Sequence, residues 1–235
     1  MELDFTGECF VPGKTDPRIE ADHIERYRFA CTHAAGKRVL DIACGAGYGT
    51  KLLVRSGAAH ADGVDISPDH VAYANEHYGG PGVRFHQGDI TTFRSENPYD
   101  LIVCFETIEH VADFRAALSN LFALLRPGGT LLVSSPNRPI TSPKARTLRD
   151  KPGNKFHTQE FTSDELAAEV RLAGFHMDPR DVFGQRQQRL FPCKPLRKLY
   201  EKIYRPSERF SPVVERVESR VPRYIVLVAT KPGAH

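Results

Sequence analysis

Two carboxylates and an imidazole stand close together in the segment Glu106-Thr-Ile-Glu109-His110. In one helical turn or tight loop, positions i, i+3 and i+4 share a face, so the three side chains converge. Carboxylates and imidazoles are suitable ligands for a hard or borderline divalent cation such as Mg²⁺. The same residues allow an alternative without a metal, in which His110 or the later His157 acts as a general base.

A glycine-rich turn, Cys44-Gly-Ala-Gly-Tyr-Gly49, follows the apolar run 39–43. Its glycines permit a tight turn and leave room for a ligand to contact the main chain. The helix expected beyond the turn presents unpaired N–H groups and a positive dipole end, which favour an anionic or carboxylate-bearing ligand. The turn therefore indicates a nucleotide-type cofactor site.

Alternating strands and helices must position both groups. The sequence predicts strands at 38–43, 61–65, 83–87, 99–104, 130–134, 175–183 and 224–229, and helices at 20–35, 48–56, 69–78, 112–125 and 163–173. Strands separated by helices of this length indicate right-handed βαβ units and a mostly parallel α/β sheet. The run 224–229 is almost wholly apolar, which favours a central place in the sheet.

The domain organisation follows from this pattern. We expect a single domain over residues 1–235, with an N-terminal cap helix within 1–36 and a core formed by 38–183 and 224–230. The irregular stretches 136–160 and 185–223 are interpreted as insertions that cover the acceptor. Leu196, Leu199, Tyr200 and Ile203 keep helical spacing, so the second insertion carries an amphipathic helix that is a candidate homodimer interface.

Acidic residues follow the strands at the edge where ligands bind in open α/β sheets. Asp65 lies twenty residues past Gly45, at the distance where a carboxylate accepts hydrogen bonds from ribose hydroxyls. Asp89 follows the next strand and suits an exocyclic amine. Nicotinamide dehydrogenases share the glycine turn and the later acid, but Thr50 stands where their fingerprint requires Gly or Ala.

The motifs together resemble class I S-adenosylmethionine-dependent methyltransferases. The matching pieces are VLDIACGAG, GVDIS, GDI, YDLIVCFETIEHV and LLRPGGTLLVSSPN, over about residues 38–137. The resemblance implies a Rossmann-like sheet of seven strands, mostly parallel with an antiparallel last strand, and helices on both faces. It also implies cofactor contacts. The methionine end would be held by Asp41, Gly45 and Gly47, the ribose by Asp65, the adenine by Ile66, Asp89 and Ile90, and further contacts would come from Glu106, Tyr27 and Arg26.

The acidic segment with the later His157 resembles metal-dependent O-methyltransferases that act on vicinal diols. The resemblance implies that Glu106, Glu109, His110 and His157 bind Mg²⁺ or another divalent cation, with Glu106, His110 and His157 also catalytic. The expected reaction is methylation of a hydroxyl on a sugar or glycosylated metabolite. Two alternatives stay open: metal-free N-methylation of an amino sugar or natural product, and 2′-O-methylation of RNA. A structural role for His157 as a hydrogen-bonding loop residue also stays open.

Charge and composition limit the partners. Forty per cent of the residues are hydrophobic and 26% are charged, which is typical of a globular protein. The net charge of +3 conceals a segment of +7 at 185–223, yet few aromatic residues accompany it, so nucleic acid is not the expected partner. No apolar run approaches the about 20 residues of a membrane span, and the first residues lack a signal-peptide pattern. We expect a cytoplasmic enzyme with a small-molecule acceptor, a sugar-like compound, vicinal diol or amine.

Overall fold

The computed structural model describes residues 15–188, 196, 199 and 211–233. The helices are α1 (Pro17–Cys31), α2 (Tyr48–Arg55), α3 (Pro68–Tyr78), α4 (Phe114–Leu124), α5 (Arg138–Thr141) and α6 (Ser163–Leu172). The strands are β1 (Arg38–Ile42), β2 (His60–Asp65), β3 (Val83–Gln87), β4 (Tyr99–Cys104), β5 (Leu125–Pro136), β6 (Val182–Gln185), β7 (Glu215–Arg216) and β8 (Tyr224–Thr230).

The strands form one sheet in the order β3-β2-β1-β4-β5-β8-β6-β7. The first five pair in parallel, and β8 runs antiparallel between β5 and β6. The predicted Rossmann-like α/β fold with an antiparallel last strand is confirmed, and β8 has neighbours on both sides as its apolar sequence indicated. The two-residue strand β7, which the second insertion adds beside β6, makes eight strands where seven were expected.

Alternate residues of each central strand face two separate apolar clusters. On one face, Leu40 and Ile102 pack in the cluster that contains α4 and α6, and on the other, Val39 and Leu101 pack with α1 and α2. This alternation is what a strand buried on both sides requires. The expected helices on both faces are confirmed.

Local signals set several helix boundaries. Ser67 caps α3 by accepting a hydrogen bond from the His70 N–H at 3.3 Å, with Pro68 at the first helical position. Thr162 and Glu165 form a reciprocal capping box at the start of α6. Within the described residues, no helix has both the length and the apolar content needed to cross a membrane.

The two insertions differ in how much of them the structure describes. The first contains the short helix α5 and is closed by a parallel bridge between Asn137 and Phe161. In the second, Leu196 and Leu199 are helical, as their spacing predicted, and both are exposed. Tyr200 and Ile203, the other two residues of the predicted amphipathic helix, lie outside the described residues, so the homodimer interface stays a prediction.

Candidate active site

A cleft of about 610 Å³ opens where the carboxyl ends of β1, β2, β3 and β4 meet. The strand order reverses at β1, and such a reversal is where open α/β sheets bind ligands. Six of the predicted cofactor residues line this cleft: Gly45, Asp65, Ile66, Asp89, Ile90 and Glu106. These six residues lie at or just beyond the ends of four different strands, and the fold brings them together around one cleft.

The glycine turn is held against the end of β2. Gly45 has a φ of 54° and donates its N–H to Asp65 Oδ2 at 2.8 Å. Gly47 has a φ of 86°, and a Cβ atom there would lie 2.6 Å from the Cβ of Ala74, so glycine is required. Asp65 Oδ1 also accepts from the Ser67 N–H at 2.9 Å, and a carboxylate with about four lone-pair sites keeps capacity for ribose hydroxyls.

An apolar surface and an acid complete the cleft. The side chain of Ile66 is 66% exposed beside it, an unusual environment that the flat face of a nucleobase would cover. Asp89 Oδ1 accepts from the Thr91 N–H at 2.7 Å and from the Thr91 hydroxyl at 2.6 Å, and these bonds lower the pKa of Asp89. The residue is therefore an ionised acceptor at neutral pH.

Asp41 and Tyr27 lie behind the glycine turn rather than on the cleft wall. The Tyr27 hydroxyl donates to Asp41 Oδ1 at 2.9 Å, and the Thr50 hydroxyl donates to Asp41 Oδ2 at 2.6 Å. Burial raises the pKa of Asp41 to about 7 although both hydrogen bonds oppose the shift. Tyr27, Asp41 and Thr50 thus form a buried hydrogen-bond network that packs behind the glycine turn.

A second, smaller cavity of about 270 Å³ adjoins the cleft. The two cavities share Glu106 and His110, which stand between them. The N-terminal helix, the first insertion and β8 supply most of the other lining residues: Ile19, Asp22, His23, Arg26, Glu109, Pro136, Thr141, Asn154, His157, Glu160, Arg223 and Tyr224. Six of the fourteen side chains that line this cavity are acids or histidines other than His23, so its surface is rich in hydrogen-bonding groups.

Three of the four predicted metal ligands converge in this cavity. Glu109, His110 and His157 each place one ligand atom so that the three atoms lie within 4.8 Å of one another. Glu109 is buried, and its Oε2 has no hydrogen-bond partner among the described residues. Burial, and then the charge of Glu106, raise the pKa of Glu109 well above its ordinary value. A buried, unpartnered carboxylate oxygen beside two imidazoles fits a cation.

Hydrogen bonds fix the orientation of both imidazoles. His110 Nδ1 lies 3.1 Å from the Phe156 carbonyl oxygen, which only accepts, so Nδ1 carries the hydrogen. His157 Nδ1 lies 2.7 Å from Glu160 Oε1. Burial raises the pKa of Glu160, but the hydrogen bonds from His157 and other neighbours outweigh it, so the pKa is lowered and the carboxylate is ionised. His157 Nδ1 therefore also donates. Nε2 of each ring is thereby left as the lone-pair nitrogen, the arrangement that metal-binding histidines require. Asn154 Nδ2 lies 2.9 Å from His157 Nε2 and donates to it.

Glu106, the fourth predicted ligand, is not part of this group. Its backbone has a φ of 49°, and its N–H and Oε1 both bond to the Ser134 hydroxyl, at 3.0 and 2.7 Å. Ser134 lies on the neighbouring strand β5 and holds the carboxylate at the border between the two cavities. The bend at Glu106 is followed by a turn, in which the His110 N–H donates to the Thr107 carbonyl oxygen at 2.9 Å, and Glu106, Glu109 and His110 all line the second cavity.

Sequence reasoning missed the partners that position these side chains. Thr50, Ser134 and Glu160 each fix one site group, yet none of them was assigned such a role from the sequence, although Ser134 lies within the motif LLRPGGTLLVSSPN. Arg26 was expected at the cofactor, but the structure places it on the wall of the second cavity. The only hint in the sequence was that polar residues occur near strand ends and in the first insertion, where they can reach the site.

Comparisons with known proteins agree with this geometry. A family model described as a methyltransferase domain matches residues 18–179. A probable S-adenosylmethionine-dependent methyltransferase of Mycolicibacterium smegmatis is 35% identical over 77% of the chain and 68% of its own length. A ubiquinone biosynthesis O-methyltransferase of Xylella fastidiosa is 34% identical over 66% of each chain. The chain thus spans about two thirds of the length of these curated relatives.

Solved structures share the fold. A crystal structure of an S-adenosylmethionine-dependent methyltransferase from Mesorhizobium loti has a TM-score of 0.63 at 15% identity, over 91% of this chain and 100% of the other. The N-methyltransferase NodS from Bradyrhizobium japonicum, in complex with S-adenosyl-L-homocysteine, has a TM-score of 0.62 at 16% identity, over 93% and 90%. At these identities the likeness concerns the fold.

Proposed function

Because the chain belongs to the S-adenosylmethionine-dependent methyltransferases, we propose that it methylates a hydroxyl of a sugar-like small metabolite with the help of a divalent cation. The observation that carries this proposal is the group of Glu109, His110 and His157 in the cavity beside the cofactor cleft. The curated O-methyltransferase relative supports oxygen as the methyl acceptor.

The cofactor supplies an activated methyl group, so the protein has to bind, orient and deprotonate the acceptor. The residues present fit the cofactor. Asp65 offers carboxylate capacity for a ribose, Ile66 an apolar face for a base, and Asp89 an acceptor for an amine. Glu106 and His110 stand where the two cavities meet, so we assign the methyl transfer to that border.

The cation would be held by Glu109 and the Nε2 atoms of His110 and His157, and it would lower the pKa of a hydroxyl and fix its direction. Its binding requires that Glu109 lose its proton and that Asn154 give up its hydrogen bond to His157. The affinity for the cation should therefore increase as the pH rises.

A metal-free mechanism is the second candidate, and one contact favours it. The hydrogen bond from His157 to Glu160 orients the imidazole as a carboxylate orients a catalytic histidine, and leaves Nε2 as a base. Such a base would serve a hydroxyl or an amine, which includes the amino-sugar alternative. RNA methylation rests on the basic segment 185–223, about half of which lies outside the described residues.

Cobalt titration separates the two mechanisms. We expect EDTA-treated protein to bind Co²⁺ with the visible absorption of a nitrogen- and oxygen-ligated ion, and Glu109→Gln and His157→Ala to bind it at least roughly tenfold more weakly. His176→Ala is the matched control, because this imidazole is exposed and lines neither cavity. Methyl transfer to catechol and to methyl glycosides is measured in parallel. Full transfer in EDTA, with no cobalt binding, would contradict metal assistance.

A further inference from the structure

Two arginines lie over the same aromatic ring on one wall of the second cavity. The guanidinium carbon of Arg26 is 5.1 Å from the centroid of the Tyr224 ring, and that of Arg223 is 5.8 Å from it. All three residues line the cavity. The ring stabilises both cations, but it does not neutralise either charge.

Arg26 is a buried cation that forms no ion pair with a described residue, although its charge acts on Glu109 in the same cavity. Its side chain is 2% exposed, and its Nη1 donates to the neutral amide oxygen of Gln185 at 2.6 Å. No carboxylate among the described residues forms an ion pair with Arg26 or with Arg223. Burying an arginine without an anion is costly, so the protein retains a charge that a ligand can balance.

Two other acids of the cavity, Asp22 and Glu160, have partners of their own. Asp22 pairs with Arg186, whose Nε lies 2.7 Å from both carboxylate oxygens. Glu160 accepts hydrogen bonds from His157 and Thr141. The arginine wall is therefore left for an anionic group that enters from outside.

The arginines do not border the cofactor cleft. The second cavity shares Glu106 and His110 with the cleft, but it is not lined by the glycine turn, by Asp65 or by Asp89. An anion on the arginine wall consequently sits in the same cavity as Glu109, His110 and His157, beside the hydroxyl to be methylated.

We propose that Arg26 and Arg223 bind a carboxylate of the acceptor, which makes the acceptor a hydroxy acid such as a sugar acid or a hydroxybenzoate. This inference rests on the proposed function only in taking the second cavity as the acceptor site. A carboxylate accepts the paired N–H groups of a guanidinium, which gives the acceptor a fixed direction as well as affinity. The arginines are then specificity-determining residues that hold the far end of the molecule.

A calorimetric titration tests the subsite without turnover. Benzoate and its neutral analogue benzamide are titrated into protein saturated with S-adenosylhomocysteine, in the presence of EDTA. We expect benzoate to bind at least roughly tenfold more tightly than benzamide, since a charged hydrogen bond replaces a neutral one. Arg223→Gln, an exposed position, should remove most of this preference, and Arg26→Lys should reduce it. Arg28→Gln is the control, because Arg28 lies on the same helix but pairs with Glu25 on the surface.

Three results would overturn the proposal. The first is equal affinity of the wild-type protein for benzoate and benzamide, and the second is an unchanged preference in both arginine variants. The third is that benzoate binds only to protein free of S-adenosylhomocysteine and that both arginine variants lose affinity for S-adenosylhomocysteine. In that case the arginines would bind the carboxylate of the cofactor itself. Methyl transfer to 3,4-dihydroxybenzoate and to its methyl ester tests the reaction separately. If neither compound is methylated while the protein still prefers benzoate to benzamide, the proposed hydroxyl methylation is wrong but the carboxylate subsite is supported.

Discussion

Replacing Asp41 by Asn should change how the stability of the protein depends on pH. The wild-type carboxyl is buried behind the glycine turn, and burial raises its pKa to about 7 in the folded state. Asn resembles the neutral form of this carboxyl in shape: its Oδ1 can accept from one of the hydroxyls of Tyr27 and Thr50, and its Nδ2, like the carboxyl O–H, can donate to the other. The variant therefore isolates the free-energy cost of ionising Asp41.

The sign and size of the effect follow from the two pKa values. An unfolded Asp ionises near pH 4, so between about pH 4 and 7 the folded state keeps a proton that the unfolded state has released. Raising the pH through this window lowers the stability of the wild-type protein, and the loss is complete above the folded pKa. At about 1.4 kcal/mol per pH unit, the loss amounts to about 4 kcal/mol.

Urea unfolding followed by circular dichroism measures this difference, since the chain has no Trp for fluorescence. We expect Asp41→Asn and the wild type to have similar unfolding free energies at about pH 4, and the variant to gain by several kcal/mol at about pH 7.5. Asp178→Asn is the control of opposite sign: hydrogen bonds from Arg180 lower the pKa of Asp178, so the stability that this carboxylate contributes is present at neutral pH and is lost only in acid. A constant difference between Asp41→Asn and the wild type across the window would refute the argument.

Three further substitutions test the cleft and its support. Thr50→Val should lower the unfolding free energy by about 1–3 kcal/mol in the same urea titration, because a buried carboxyl loses a donor at 2.6 Å, and Thr50→Ser should restore most of it. Ile66→Ser should weaken S-adenosylhomocysteine binding roughly tenfold, as measured by calorimetry. Leu172→Ser is the control, because this side chain is 78% exposed and lies outside the cleft, and it should not change binding. Equal losses in the two variants would contradict the contact of Ile66 with adenine. Gly49→Ala should destabilise the fold by about 1–3 kcal/mol, since its Cβ would lie 2.1 Å from the Tyr27 ring, and an unchanged melting temperature would count against this packing.

The sequence predicted the fold closely because its signals were local. The alternation of apolar strands with capped helices requires nothing beyond neighbouring residues, and Ser67 and Thr162 mark helix starts within one residue of the structure. Strand six was expected at 175–183 but is Val182–Gln185, because the residues after α6 contribute only a bridge from His176 to Thr230. The strand β7 depends on pairing with β6 across the second insertion, which no local pattern encodes.

The site was predictable where it follows strand ends and was not where it depends on distant packing. Asp65 and Asp89 reach the cleft because every parallel strand ends at the same edge of the sheet. Tyr27 reaches Asp41 from a helix on one face, and Arg26 on the same helix reaches a different cavity. Side chains one residue apart on a helix diverge by about 100°, so a shared role for these two could not be derived from adjacency.

The border between the two cavities depends on a bend that is held from both sides. Glu106 has left-handed backbone geometry, which costs about 1–3 kcal/mol for a residue other than glycine, and Ser134 compensates by bonding to its N–H and carboxylate. From the other side, Gln159 donates to the carbonyl oxygens of Ile108 and Val111. The first insertion thus fixes the segment that carries Glu106, and with it the line along which a methyl donor and an acceptor would meet. The position of Glu106 therefore depends on strand β5 and the insertion that follows it as much as on the acidic motif itself.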